Sequence, residues 1–70
     1  MRIGDWVKSR TLGWVGEIVD IDEGQWMNRV EVRWHTGLFA GELAHPHNIN
    51  LISINANEAR QLISQERKRQ

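Results

Sequence analysis

The chain has 70 residues, nine Lys+Arg against nine Asp+Glu, and no cysteine. That length allows one small domain with a thin stability margin, and the missing cysteine rules out disulfides, thiol nucleophiles and cysteine-based zinc sites. Zero net charge argues against a dedicated sequence-blind nucleic-acid binder, and the absence of an apolar run of roughly 18 residues or of a hydrophobic signal region after Arg2 leads us to expect a cytoplasmic chain outside the membrane.

The first element starts at the turn pair Gly4-Asp5. Val7 is its expected inward residue, with Trp6 and Lys8 facing the other way, because strand side chains alternate. Gly13 and Gly16 in "TLGWVG" predict a reversal of direction. "EIVDID" follows as a second strand. Its Ile18 and Ile21 break period two, which predicts a bulge or bend. Gly24 and Asn28 mark the next turn. "RVEVRWH" is the clearest strand, with Val30, Val32 and Trp34 on one face and Arg29, Glu31 and Arg33 on the other. "TGLFAGEL" predicts a turn at Gly37 and a short fourth strand up to Gly41, and "NINLISI" a fifth strand. Pro46 in "AHPHN" makes a rigid turn, such as a short 3₁₀ segment, before that last strand.

The ending has helical spacing: Ala56, Ala59, Leu62 and Ile63. Asn55 is placed as N-cap with Glu58 three residues later, and Ile54 and Ala59 are placed for a staple. A helix from 56 to 67 is expected, followed by a basic end in "ERKRQ". The positive charge suits a helix C-terminus. The pattern is mostly β: a five-stranded antiparallel small barrel over residues 1–54, then a C-terminal helix and basic tail over 55–70. The helix is expected to pack on the sheet or to mediate self-association through Leu62 and Ile63.

The motifs Gly4-Asp5-x-Val7, then Gly13, Gly16 and Ile18, then Val30, Val32, Trp34 and Gly37 resemble the start of SH3-like barrels of the KOW and Tudor kind. The likeness covers residues 3 to 54. The strand pattern is also similar to that of a small barrel protein of photosystem I and of type II dihydrofolate reductases. One fold with unrelated activities does not define a function. The Tudor resemblance implies an aromatic cage, and Trp14, Trp34 and Phe39 match its positions, although Glu17, Ile18 and Val19 stand where the usual second-strand aromatic would be. The reductase resemblance implies a tetrameric pore lined by a stretch that Ile49, Asn50, Leu51 and Ile52 would match, with Ala44-His45-Pro46 upstream. The residues expected to touch folate and nicotinamide are missing from it.

The histidines His35, His45 and His47 fit no ligand spacing for a metal. They read as turn residues, and no metal or cofactor is expected. Ser9, Thr11, Thr36, Ser53 and Ser64 lie in no nucleophile frame, and Gly13 and Gly16 lack the Lys and Ser/Thr of a phosphate loop. The tryptophans Trp6, Trp14, Trp26 and Trp34 carry much apolar area for so short a chain. Trp34 is in phase with the core. Trp14 and Trp26 either bind or seal the barrel ends. The expected function is therefore a non-enzymatic module that binds a protein partner through Trp6, Trp14, Trp26 and Phe39. A nucleic-acid module, taking RNA or DNA on Arg2, Lys8 and Arg10 beside Trp6, is the alternative. The pore-forming reductase is the third, and a homo-oligomer is compatible with each.

Overall fold

The computed structural model describes residues 2–21 and 29–68. Strands β1 (Trp6–Ser9), β2 (Val15–Ile21), β3 (Val30–Trp34), β4 (Leu43–Ala44) and β5 (Leu51–Ile54) form one antiparallel sheet in the order β4-β3-β2-β1-β5. A 3₁₀ turn at Asn48–Asn50 precedes β5, and helix α1 (Ala56–Lys68) ends the described chain. The fold is mostly β. Strands β4 and β5 are the sheet's two edges, and among the described residues no ladder joins them into a closed barrel.

Alternation accounts for the core. Val7, Ile18, Val30, Val32, Trp34 and Leu51 form one buried cluster, with Val7 and Ile18 fully enclosed. The register carries this pattern across strands: Val7 faces Gly16, Gly16 faces Trp34, and Ile18 faces Val32. Between Ile18 and Asp20 the β2–β3 register slips. That slip returns Ile21 to the core side, where it packs on the cluster, and is the bulge expected from the spacing.

The sheet is covered on its second face as well. Trp6, Lys8, Val15 and Glu17 share that face, since Trp6 pairs with Glu17 and Lys8 with Val15. Val15 is buried yet lies outside the main cluster. Helix α1 packs against β1 and β2, with Ala59 fully enclosed and Leu62 lining a groove beside Val15. The chain thus turns back after β5 and lays α1 over the outer side of the sheet. Asn55 starts the helix, accepting the Glu58 N–H on Oδ1 at 2.7 Å.

Two expectations need correction. Gly16 is not in the reversal; it sits inside β2. A Cβ there would meet the Val32 side chain first and lie 2.9 Å from Trp34 Cε3, so the two core side chains on β3 together require a glycine. The fourth strand does not precede Gly41. Residues 35–42 form the β3–β4 connection, with Gly37 at φ 91° and Gly41 at φ 89°, and β4 begins at Leu43. Two left-handed glycines allow a tight return that an extended strand would prevent.

Thr36 follows β3 and is buried. Its Oγ1 accepts the Val15 N–H at 2.8 Å, so it holds the start of β2 to the end of β3. Thr36→Val keeps the shape and strands that N–H. The expected cost is about 1–2 kcal/mol, read as a lower urea midpoint with an unchanged slope.

Candidate functional site

Two turns meet at one end of the sheet. The β1–β2 turn spans 10–14 and leads into Val15. The β3–β4 turn spans 35–42 and follows Trp34. Because Gly16 pairs with Trp34, both lie at the same end. The first turn is held by local bonds: the Leu12 N–H donates to Ser9 Oγ at 3.1 Å, and the Gly13 N–H donates to the Ser9 carbonyl at 2.9 Å. The second is closed by the Gly41 N–H on the Trp34 carbonyl at 2.7 Å and the Glu42 N–H on the Phe39 carbonyl at 2.9 Å.

Trp14 joins them. Its ring packs edge-on against Trp34 with centroids 5.8 Å apart and against Phe39 at 5.6 Å. Its face lies over Gly37, so close that a Cβ there would fall 2.5 Å from the indole. The Gly37 N–H in turn donates to Glu66 Oε1 on α1 at 2.9 Å. Helix, turn and indole are thereby tied together. A groove of about 190 Å³ runs between Trp14, Val15 and Thr36 on one side and Leu62, Gln65 and Glu66 on the other.

The result is an end of the molecule with apolar side chains in water. Leu38 is 88% exposed, Leu12 61% and Phe39 52%. Trp14 is half-buried, with its ring against Phe39. On the other side of the β1–β2 turn, Arg10 donates its backbone N–H to the Asn50 carbonyl and its Nε to the Ile49 carbonyl. That brings the exposed Ile49 next to the same turn. Sequence reasoning placed Trp14 and Phe39 here but missed Leu12, Leu38 and Glu66. The available signal was the pair Gly37 and Gly41: an apolar Leu-Phe step between two turn glycines sits at a tip.

The expected site residues are dispersed as follows. Trp14, Trp34 and Phe39 come together in edge-to-face contacts, with Trp34 only 7% exposed, not as an open cage. Trp6 is on the other sheet face, 4.9 Å from the His35 ring, and does not join them. Trp26 lies outside the described residues. Arg2 stands before the Gly4-Asp5 turn, where its backbone N–H donates to Asp5 Oδ2. Lys8 is on the α1 side of the sheet, and Arg10 is in the turn beyond β1. These three cations are thus distributed along the length of β1. Leu62 and Ile63 are half-buried, with Leu62 turned into the groove on the sheet side.

The histidines separate. His35 Nε2 lies 3.7 Å from Glu17 Oε1. His47 Nδ1 accepts the Ile49 N–H as cap of the 3₁₀ turn. The His45 carbonyl accepts from Arg29. Among the described residues no group of three or more potential ligands gathers. The stretch matched to the reductase pore is divided, with Ile49 and Asn50 in the 3₁₀ turn and Leu51 buried in the core. No helix among the described residues is long and apolar enough to cross a membrane. Comparisons with protein-family models, with curated proteins and with solved structures give no match.

Proposed function

We propose that the chain is a non-enzymatic binding module that docks a protein partner on the apolar end formed by Leu12, Trp14, Leu38 and Phe39. The observation that carries the reading is the exposure of Leu38 and Phe39 on one turn, with Phe39 against a half-buried indole. Large exposed apolar side chains grouped around an aromatic ring mark interaction surfaces, and aromatic anchors at the centre of an interface carry most of its energy. The β4-β3-β2-β1-β5 antiparallel order with a 3₁₀ turn before the last strand is compatible with the SH3-like resemblance. On that resemblance too, the first loop and the end of the third strand are where a partner is held.

Trp14 packs on the core cluster, so removing it disturbs packing as well as any contact. Phe39 and Leu38 are the better probes. Peptides selected on the wild-type domain from a randomised library should lose at least about tenfold in affinity for Phe39→Asp and for Leu38→Asp, the scale of one interface anchor. Both variants should keep the wild-type circular dichroism and melting. Peptides that bind the Asp variants as tightly as wild type would place the binding surface elsewhere.

A further inference from the structure

Helix α1 is sorted by charge in a way that its own packing does not need. Its exposed residues are Asn57, Arg60, Gln61, Ser64, Gln65, Arg67 and Lys68, every one a cation or a neutral hydrogen-bond donor. Its two carboxylates are elsewhere. Glu58 is half-buried in the first turn, where its backbone N–H is held by Asn55, and Glu66 is half-buried with Oε1 accepting from Gly37. Among the described residues Arg60, Arg67 and Lys68 make no ion pair; Arg60 Nε donates to the Ala56 carbonyl at 3.3 Å. A chain of zero net charge thus presents a helix face with no exposed acid.

The donors are also aligned. Arg60, Gln61, Ser64, Gln65 and Lys68 border one shallow surface groove. Arg60, Ser64 and Lys68 recur every four residues, which spaces them about 6 Å apart along the helix over about 12 Å. We propose that this face of α1 is a docking surface for the phosphate backbone of a nucleic-acid duplex. It adjoins the groove beside Trp14 only at Gln65 and includes none of the apolar side chains proposed for protein docking.

The chemistry of the face selects that occupant. Arg, Lys, Ser, Asn and Gln side chains are the groups that contact phosphate and sugar oxygens. The face has no aromatic ring, so it lacks the stacking platform that single strands use. The apolar side of α1, with Ala59 and Leu62, is turned to the sheet, so the helix has no free apolar face to lay into a lipid surface. A hot-spot protein interface would need apolar or aromatic anchors at its centre, and the groove has none. Contacts of this kind position a protein on a duplex without reading its sequence.

The test is fluorescence anisotropy with a labelled random-sequence DNA duplex, over a series of salt concentrations. Three phosphate contacts predict a slope of log affinity against log salt of about −2.7. Arg60→Gln with Lys68→Gln should reduce it to about −0.9 and weaken binding at low salt by about tenfold or more, with circular dichroism unchanged. Arg2→Gln with Arg33→Gln removes the same charge elsewhere and should leave binding near wild type. The proposal is overturned by a flat wild-type salt series, by equal weakening in the two double variants, or by tighter binding to poly-glutamate. Tighter binding to phosphatidylcholine vesicles containing phosphatidylserine would overturn it too.

Discussion

Gly16→Val should leave the domain far less stable than wild type. Gly16 lies between Val7 on β1 and Trp34 on β3. A Cβ would contact the Val32 side chain, sit 2.9 Å from Trp34 Cε3 and 3.1 Å from the Arg33 carbonyl oxygen. Two of those neighbours are core residues and the third is backbone, so none of them is the free end of a long side chain. Overpacking of this kind costs about 1–3 kcal/mol, and three added carbons belong at the top of that range. For a domain of this size about 3 kcal/mol lowers the melting temperature by about 12–24 °C. Gly16→Ala should show a smaller fall of the same kind. A Gly16→Val variant that melts with wild type would mean that Val32 and Trp34 are not seated against β2.

Gly37→Ala has the second largest effect, for two separate reasons. The backbone at φ 91° is one that L residues adopt at a cost of about 1–2 kcal/mol. The new methyl would also fall 2.5–2.6 Å from Trp14 ring atoms, so the indole must move. Moving it weakens its edge contacts to Trp34 and Phe39, each worth about 0.5–1.5 kcal/mol. A total of about 2–3 kcal/mol is expected, with a red shift in tryptophan emission as Trp14 gains water. The shift separates this outcome from backbone strain alone, which would lower stability and leave the emission in place.

Much of the sheet was legible because period two is a local signal. Val30, Val32 and Trp34 point inward together, and the β2 bulge followed from Ile18 and Ile21 falling out of phase. The helix was legible from Asn55 and from the spacing of its apolar residues. The errors arose where the reason for a residue lies on another strand. Gly16 reads as a turn residue until Trp34 is placed opposite it. Leu38-Phe39-Ala40 reads as strand by its apolarity. The glycines on either side of it were in the sequence, but their left-handed φ, which makes the segment a turn, shows only in the backbone.

The site was legible in the same partial way. Trp14 and Phe39 could be placed in turns from the glycines beside them, Gly13, Gly37 and Gly41. The β1 alternation already put Trp6 on the face opposite Val7, where it stands; what could not be read locally is that α1 returns to that face. Glu66 was beyond reach. Its role depends on α1 lying across the sheet so that its carboxylate meets the Gly37 N–H, a contact between residues far apart in the chain.

These contacts also explain why the apolar end keeps its shape. Trp14 seats the β1–β2 turn against the β3–β4 turn, and Glu66 fastens the second turn to α1. Leu38 and Phe39 are therefore displayed on a supported tip, and a binding surface built on ordered elements loses less entropy on docking.

The most direct measurement is a nuclear magnetic resonance titration of the ¹⁵N-labelled domain with a peptide selected on the wild type. Amide shifts should concentrate in residues 10–14 and 36–42, with the Trp14 indole N–H among the largest. Shifts centred on Trp6, His35 and Glu17, with residues 36–42 unmoved, would contradict docking on the apolar end.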